Sequence, residues 1–340
     1  MTKKQAIEAF RHELRKRGKA YSTEKTYLYW LGQYSEWLKS NAGAGPVEWL
    51  SYLADPQTPG VNPIAVSTQK QALNAVAKFH QWVLKRPREN WNFKPARNHR
   101  KIPDFLTHSE CHALFGQMRG VPQLQAQLMF GTGLRVSEAL ALRVKDLDFQ
   151  NFTVTVRDGK GSKDRVLPMP RCLADQLQEQ VEKAHYFWKL DRDENNPAPY
   201  LPASLEKKLG KQVKGFSWFW IFPASKLSTD PRSGIVRRHH LSDRGVAKAI
   251  KVAAKRAGIT KRVHPHILRH SFATESLRGG LDIKSLATLM GHKSTATTEI
   301  YLHCLPDIAF RAVSPLDAAP SNVTPFVENL PAIAPVSVAR

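Results

Sequence analysis

The sequence predicts a mainly α-helical protein with a small antiparallel β-sheet, an α+β fold divided between two domains. Residues 1–88 place apolar side chains at helical spacing, as several short helices would. Residues 152–156 alternate apolar side chains with threonine, which is typical of a strand. The chain of 340 residues is long enough for two domains and a sizeable core.

Residues 1–88 are predicted to form a small helical DNA-binding domain. Its first helix carries an apolar stripe that Gly18 ends, and further helices are predicted to begin at Ser22, Pro46 and Ser67. The opposite faces are rich in Lys, Arg and Gln. In a chain this basic, we interpret those faces as contacts for DNA rather than as a merely solvated surface.

The segment 89–104 is predicted to be a basic linker that lies along a phosphate backbone, because it contains Pro and basic residues and shows no period. The second domain is predicted to span residues 105–317. Thr107 and Glu110 form a capping box at the start of its first helix.

Local signals place two cations in this second domain. A helix is predicted to end near Gly133, so that Arg135 begins the next helix, where both the side chain and the helix dipole favour a phosphate. The alternating strand is followed by Asp158-Gly159, a hairpin turn signal, which puts Lys160 near the tip of a β-hairpin. The run GKGSK is not a phosphate-binding P-loop, because Gly rather than Ser or Thr follows the Gly-Lys pair.

Residues 191–240 form an insert that is much longer than the usual connection between two elements. It holds a short helix candidate, the aromatic run FSWFWIFP and the polar segment STDPRSGIVRRHH. A further helix is predicted after it. Residues 318–340 contain several prolines and few charges, and are predicted to be a disordered tail without an assigned role.

Composition limits the partners that the protein could have. The net formal charge of +22, from 51 Lys and Arg against 29 Asp and Glu, predicts a polyanion, most simply DNA. A membrane partner is not predicted, because the charge is spread along the chain and no apolar run reaches the ~18 residues of a spanning helix. Three widely spaced cysteines and an N-terminus without an apolar signal-peptide region predict a cytoplasmic protein in a reducing compartment.

The chemistry is concentrated in one stretch near the C-terminus. His266 and Arg269 are three residues apart and would share a helix face. His292 follows a glycine that can end a helix, and Tyr301 would lie about two turns into the next helix, at ~3.6 residues per turn. Each residue alone is more often a packing residue. Together, two histidines, an arginine and a phenol in a basic chain indicate phosphoryl transfer with tyrosine as the nucleophile.

The pattern His-x-x-Arg-His, then Gly-His, then Tyr nine residues after that His resembles the C-terminal active-site box of the tyrosine recombinases. The resemblance covers roughly residues 5–317. It implies an N-terminal SAM-like core-binding domain, a catalytic domain, and an upstream Arg and Lys, for which Arg135 and Lys160 stand in the expected places. It also implies a 3′-phosphotyrosine intermediate, four protomers around two DNA sites, and neither a metal nor a nucleotide cofactor.

The chemistry of the reaction assigns a role to each of these residues. Arg135 and Arg269 would neutralise the phosphate oxygens, with Glu138 orienting Arg135. Lys160 would protonate the 5′-oxygen that leaves. The remaining site residues are two histidines, His266 to position or deprotonate the phenol and His292 to donate to a phosphoryl oxygen, and the nucleophile, Tyr301.

The insert, together with RVKDLDF, GKGSKDR and SPLD, resembles the integron integrases of bacteria. That resemblance implies integration and excision of gene cassettes at attI sites and at folded single-stranded attC sites. Unstacked bases bind flat rings, so the predicted base-binding residues are Trp218, Trp220, Pro231, His239 and His240.

Three alternatives remain open. A zinc site is suggested by His266 and His270 at i, i+4 spacing and by His239-His240, but Ile267 stands where the zinc motif has its glutamate, and Arg269 would repel a cation. A non-catalytic DNA-binding protein would have the charge without the catalytic set. A duplex-specific tyrosine recombinase, such as a phage integrase or a chromosome-dimer resolvase, would lack a use for the insert.

Overall fold

In the computed structural model, the described residues (2–55, 64–87, 91, 103–157 and 164–304) form helices and two small antiparallel sheets. This confirms the predicted fold class. The chain divides into two compact units, Met1–Lys101 with Pro231–Gly234, and Ile102–Asp230 with Ile235–Arg340. No helix among the described residues is long and apolar enough to cross a lipid bilayer.

The first unit contains the four predicted helices: α1 (Lys3–Lys16), α2 (Tyr21–Ser40), α3 (Pro46–Ala54) and α4 (Val66–Trp82). Two predicted starting residues are wrong, because Ser22 and Ser67 lie inside their helices, whose N-caps are Ala20 and Ala65. Neither alanine supplies a side-chain cap. Packing therefore decides where these helices begin. The hydroxyls of Ser22 and Ser67, which are of the kind that often caps a helix, predicted the wrong starting residues.

Aromatic side chains fill the core of the first unit. Phe10 from α1 is fully buried and packs edge-on against Phe79 from α4, with ring centroids 5.6 Å apart. Trp49 from α3 packs against Tyr34 from α2, with ring centroids 5.1 Å apart and ring planes tilted by 49°. Burial of one such ring contributes about 1.5–3 kcal/mol. The tertiary contacts of these rings explain why the apolar spacing predicted the helices well.

The second unit combines helices with two small sheets. Its helices are α5 (His108–Gly116), α6 (Gly120–Thr132), α7 (Val136–Leu140), α8 (Ala174–Asp193), α9 (Ala203–Leu209), α10 (Asp243–Arg256), α11 (Pro265–Arg278) and α12 (Ile283–Met290). Its strands are β1 (Leu147–Asp148), β2 (Thr153–Val156), β3 (Arg165–Pro168), β4 (Pro223–Thr229) and β5 (Val236–His240). Short 3₁₀ segments cover Val144–Asp146, Arg171–Leu173, Gly210–Lys214, Phe216–Trp218, Thr295–Thr297 and Glu299–Cys304.

Strands β1, β2 and β3 pair antiparallel in that order, and Val156 of β2 lies opposite Arg165 of β3. The predicted capping box at Thr107 is present, with the hydroxyl accepting from Glu110 N. The pairing of β4 with β5 was not predicted, because the largely polar residues of both strands show no alternation of apolar and polar side chains.

The segment after α12 also differs from the prediction. It consists of two 3₁₀ segments, not the α-helix expected around Tyr301. Ser294 does cap the first of them, with its hydroxyl accepting from Ala296 N. Three β-branched threonines follow within four residues, Thr295, Thr297 and Thr298, and such residues disfavour a long helix.

Candidate active site

Arg135 lies at the junction of α6 and α7. Gly133 ends α6 in the left-handed region, at φ +68°, as predicted. A Cβ there would lie 2.4 Å from the ring of Phe272, so glycine also allows α11 to approach closely. Arg135 is then the N-cap of α7. Glu138 accepts from both the backbone N–H (2.9 Å) and Nη1 (2.8 Å) of Arg135, and so holds its main chain and its side chain together.

Arg269 is the buried cation of the site, with only 2% of its surface exposed. Its guanidinium donates to the backbone carbonyls of Gly133 and Met290, and Nη2 lies 3.0 Å from Nε2 of His292. Burial, helped by the charge of Arg135, lowers the pKa of Arg269 to about 10, which leaves it protonated at neutral pH. Arg269 therefore joins the ends of α6 and α12 to α11 and keeps a positive charge there.

His292 follows Gly291, which ends α12 at φ +64°. The His292 Nδ1 atom lies 2.8 Å from the hydroxyl of Thr298. A guanidinium only donates, so Nε2 accepts from Arg269 and Nδ1 carries the ring proton. Burial, together with the charge of Arg269, lowers the pKa of His292 to about 4. The ring is therefore neutral at pH 7.

Tyr301 is buried, with 2% of its surface exposed, and packs among Leu277, Leu286 and Met290. Its hydroxyl lies 2.9 Å from Nδ1 of His270. Burial raises the pKa of Tyr301 above its usual value near ~10, so the phenol is protonated at neutral pH. A phosphate cannot reach this hydroxyl unless the side chain or the segments that cover it move.

The histidine that contacts the phenol is His270, not His266. His266 is exposed near the start of α11, and its ring centroid lies 5.0 Å from that of His270. The predicted role of His266 in positioning the phenol stays a prediction, since the contact in this structure is made by His270. In the sequence, the i, i+4 spacing of the two histidines suggests only a zinc motif and gives no sign of the contact between His270 and Tyr301. Burial, followed by the charge of His266, lowers the pKa of His270 to about 4.

Lys160 and the hairpin turn that carries it lie outside the described residues, which stop at 157 and resume at 164. The two strands on either side, β2 and β3, are those that the sequence predicts. The place of Lys160 in the site stays a prediction.

A surface cavity of about 400 Å³ brings Arg135 and His292 together. Its other lining residues are Ser137, Glu138, Arg157, Gly291, Lys293 and Thr297. Arg157 and Lys293 are further cations that sequence reasoning missed. Arg157 pairs with Asp146 (2.9 Å) and Asp164 (3.1 Å), which offset its charge. The cavity therefore combines two arginines, a lysine and a neutral histidine on one surface.

Arg165, the first residue of β3, was also missed. It is 8% exposed, and its Nη2 lies 2.7 Å from Oε2 of Glu138. Burial tends to raise the pKa of Glu138, but the hydrogen bonds from Arg165 and Arg135 outweigh it, so the pKa lies below the usual range. The carboxylate is thus ionised beside Arg135. Only the GKGSKDR resemblance pointed toward this arginine.

The insert has its own small core and one predicted base-binding residue that cannot bind a base. Trp220 is 5% exposed, its Nε1 donates to the carbonyl of Arg238 (3.3 Å), and the guanidinium of Arg143 lies 3.8 Å from the ring centroid. A base has no free face to stack on, which contradicts the prediction for Trp220. Instead, the ring supports His240, whose ring meets it edge-on at 5.2 Å.

The other four predicted base-binding residues remain accessible to different degrees. His239 is exposed, and its ring centroid lies 4.0 Å from that of the partly buried His240. Trp218 is partly buried, with Lys145 Nζ 3.2 Å from its ring centroid. Pro231 is exposed in the turn between β4 and β5, and this turn groups with the first unit.

The described residues contain no cluster of three or more His, Cys, Asp or Glu side chains that could hold a metal ion.

Comparison with known proteins gives two family matches. Residues 104–307 match the phage integrase family, and residues 7–90 match the N-terminal SAM-like domain of phage integrases. An integrase/recombinase of Escherichia coli is 41% identical over 323 residues, covering 92% of this chain and 94% of that protein. Tyrosine recombinase XerA of Thermococcus kodakarensis is 31% identical over 300 residues, covering 87% of this chain and 90% of that protein.

Solved structures show the same fold. The post-cleavage complex of XerH site-specific recombinase bound to a palindromic difH substrate matches with a TM-score of 0.55 and 20% identity, over 85% of this chain and 78% of that one. The Tn1549 transposon integrase in complex with transposon right end DNA matches with a TM-score of 0.56 and 17% identity, over 92% of this chain and 96% of that one.

Proposed function

Since the chain belongs to the phage integrase family, we propose that Tyr301 is the nucleophile with which it cleaves DNA. Membership confirms the predicted enzyme class, a site-specific tyrosine recombinase that breaks and rejoins DNA strands, and removes the alternative of a non-catalytic DNA-binding protein. The proposed catalytic set is Arg135, Lys160, His266, Arg269, His292 and Tyr301.

The observation that carries this assignment is the cluster around Arg269. One guanidinium bonds both to the His292 ring and to the carbonyl of Gly133, two residues before Arg135. Residues that are far apart in sequence therefore meet at one cavity, as a phosphate site requires. Packing alone would not gather buried and half-buried cations beside a neutral histidine, because burial of each charge costs free energy.

In the proposed reaction, Tyr301 Oη attacks the phosphorus, and the bond from phosphorus to the 5′-oxygen breaks. Arg135 and Arg269 stabilise the charge on the non-bridging oxygens. Lys160 gives its proton to the departing 5′-oxygen. The product is a 3′-phosphotyrosine, which the 5′-hydroxyl of another strand attacks to restore a phosphodiester and free Tyr301. No ATP is needed, because each step exchanges one phosphodiester for another.

Before attack, Tyr301 must leave its buried position, and its phenol proton must leave as well. His270 is neutral and already in contact with the hydroxyl, so we assign it the first acceptance of that proton. His266 remains in the proposed set, with its ring centroid 5.0 Å from that of His270. A bound phosphate would raise the pKa of both histidines and of His292, since a nearby anion favours their charged forms.

Covalent trapping on a nicked duplex tests the nucleophile. Tyr301→Phe should bind DNA as the wild type does and form no covalent adduct. Tyr186→Phe is the matched control, because this tyrosine is 66% exposed on α8 of the same unit. It should form the adduct at the wild-type rate. An adduct in Tyr301→Phe would overturn the assignment.

We propose that the substrates are attI sites and folded single-stranded attC sites of gene cassettes, synapsed by four protomers. The support is the insert, in which the exposed His239 ring lies 4.0 Å from that of half-buried His240, Trp218 is half-buried, and the turn between β4 and β5 carries exposed Pro231. Bases that protrude from a folded strand would stack on such rings, at about 1–3 kcal/mol per base. Duplex DNA offers no unstacked base to such a surface.

A duplex-specific recombinase is the second candidate. It is favoured by the likeness to XerA and to XerH, whose structure is described as bound to a palindromic difH substrate. The cassette recombinase requires a folded strand with protruding bases, whereas the duplex-specific recombinase requires paired DNA. A comparison of the two substrates therefore distinguishes the candidates.

The deciding experiment compares recombination of a hairpin strand with protruding bases and of the same strand made fully paired. The variant His239→Ala/His240→Ala should lose most activity on the bulged strand and less on duplex. The control is His108→Ala/His112→Ala, an exposed pair on α5 with ring centroids 4.4 Å apart. This control variant should change the activity on neither the bulged strand nor the duplex. Equal use of both strands by the wild type would favour the duplex enzyme.

We also propose the domain limits predicted from the sequence: residues 1–88 as a core-binding domain, 89–104 as a basic linker, 105–317 as the catalytic domain with its insert at 191–240, and 318–340 as a tail. The SAM-like match over 7–90 and the phage integrase match over 104–307 support these limits. A bacterial enzyme with cellular DNA as its substrate would work in the cytoplasm.

A further inference from the structure

Arg165 does not belong to the predicted catalytic set, but it contacts several parts of the site. It begins β3, directly after the segment that holds Lys160. Its Nη1 and Nη2 donate to the two oxygens of Glu138, at 3.2 and 2.7 Å, in a fork-like pair. Its Nε donates to the backbone carbonyl of Leu289, at 2.8 Å. One buried side chain therefore joins β3 to α7 and to the end of α12.

Glu138 is shared between two arginines. Oε1 accepts from Nη1 of Arg135 (2.8 Å) and from Arg165, while Oε2 accepts from the backbone N–H of Arg135 (2.9 Å) and from Arg165. A carboxylate with Arg135 as its single partner would largely cancel the positive charge of Arg135, which is needed to bind the phosphate. Two guanidinium groups around one carboxylate leave a net positive charge. Among the described residues, Nη2 of Arg135 has no hydrogen-bond partner, so it is available to a phosphate.

The same guanidinium fixes the turn before His292. A Cβ added to Gly291 would lie 3.0 Å from Nη1 and 3.2 Å from Cζ of Arg165, so the turn packs directly against it. Together with the bond to Leu289 O, this contact sets where α12 ends. Because His292 follows directly after the end of α12, the position of that end also determines the position of the His292 ring, whose Nε2 accepts from Arg269.

We propose that Arg165 is a positioning residue for DNA cleavage. It holds Glu138 so that the carboxylate orients Arg135 without cancelling its charge, and it supports the turn that presents His292. This inference rests on the proposed role of Arg135 as a phosphate ligand. Arg165 itself is too deeply buried to touch DNA, so it acts through its two neighbours.

A structural role is the competing explanation, because breaking any buried ion pair destabilises a protein. The two explanations differ in their dependence on substrate charge. A methylphosphonate at the scissile position is a neutral diester, so its cleavage needs little help from Arg135. Loss of positioning should therefore slow cleavage of the phosphodiester much more than cleavage of the methylphosphonate. Loss of folded protein should slow both equally.

The experiment measures single-turnover cleavage of nicked duplexes that carry either diester, and reports the ratio of the two rates. Arg135→Ala should lower the ratio of phosphodiester to methylphosphonate cleavage by ~10²–10³, the usual effect of a lost transition-state donor. Arg165→Gln should lower it by ~10-fold or more, with DNA affinity unchanged, because only part of that donor's contribution is lost. Arg165→Lys keeps the positive charge but cannot form two parallel hydrogen bonds to Glu138. Its ratio should therefore lie between those of Arg165→Gln and the wild type.

A matched control and a double variant complete the design. Arg238→Gln breaks another buried pair of the same unit, with Asp191 at 2.7 Å, and should leave the ratio unchanged. In a Glu138→Gln background, Arg165→Gln should lower the ratio by less than it does in the wild type, because one of the two groups through which Arg165 acts is gone and only its support of the turn before His292 remains.

The outcomes separate the inference from the proposed function. If Arg165→Gln and Arg165→Lys slow both substrates by the same factor, Arg165 has only a structural role and the inference is wrong. If Arg135→Ala leaves the ratio unchanged, the proposed role of Arg135 fails first, and the inference falls with it.

Discussion

Substitution of Gly291 by alanine should damage the site through a contact with Arg165. Gly291 has φ +64°, a region that L-residues enter at a cost of about 1–2 kcal/mol. The new Cβ would also lie 3.0 Å from Nη1 of Arg165, closer than such atoms normally approach. Arg165 cannot move away freely, because Glu138 and the carbonyl of Leu289 hold its guanidinium on two sides.

The chain offers a control that separates the two costs. Gly258, after α10, has φ +69°, and a Cβ there would meet nothing within 4 Å. Gly258→Ala should therefore lower the free energy of unfolding by only the backbone cost, about 1–2 kcal/mol. Gly291→Ala should lower it by a further ~1–3 kcal/mol, the usual cost of inserting a methyl group into a packed site.

Urea unfolding and single-turnover cleavage measure both effects. Gly291→Ala should slow cleavage by ~10²-fold, because small displacements of catalytic groups have effects of that size, whereas Gly258→Ala should not. Shortening Arg165 to alanine should reduce the stability cost of Gly291→Ala to that of Gly258→Ala. The reasoning is refuted if the two glycine variants lose equal stability, or if Gly291→Ala cleaves DNA at the wild-type rate.

Three further predictions concern protonation and charge. His270 and His292 each have a pKa lowered from 6.5 to about 4, so the unfolded chain binds more protons between those values. The free energy of unfolding should therefore fall as the pH drops from ~7 to ~5, by about 2 kcal/mol per histidine, and urea unfolding of His292→Gln should show a smaller fall. Lys160→Ala should slow cleavage with little loss of affinity, and a 5′-phosphorothiolate leaving group should restore much of the rate; no restoration would remove Lys160 as the general acid. DNA affinity should fall with salt at a log–log slope near ~0.9 per phosphate neutralised, and a flat response in a binding titration would contradict the predicted DNA contacts of the N-terminal helices and of the linker 89–104.

Local signals in the sequence predicted the parts of the fold that depend on neighbouring residues. The cap at Thr107, the left-handed Gly133 before Arg135 and the pairing of β2 with β3 each need only a few adjacent side chains. The spacing of apolar residues predicted the four N-terminal helices because that spacing marks the face of each helix that packs into the core.

What the sequence could not predict depends on distant contacts. Arg165 meets Glu138, 27 residues away, and Leu289, 124 residues away, and no local pattern encodes either. The contact of His270 with Tyr301 depends on the 3₁₀ geometry after α12, which the expected α-helix would have changed. Trp220 was assigned to the surface because the run FSWFWIFP gives no sign of which ring lies inward.

The anchoring of the insert has a consequence for protein engineering. Arg238 of β5 forms a buried pair with Asp191 of α8, and Arg143 donates to the carbonyls of Trp218 and Tyr200 while lying against the Trp220 ring. Asp191 is the first residue of the insert, whereas Arg143 lies outside it. Transplanting the insert into a recombinase that lacks it would therefore require an arginine at the Arg143 position of the recipient. Excising residues 191–240 here would leave the buried guanidinium of Arg143 without the carbonyls of Trp218 and Tyr200, unless Arg143 were replaced by an apolar side chain at the same time.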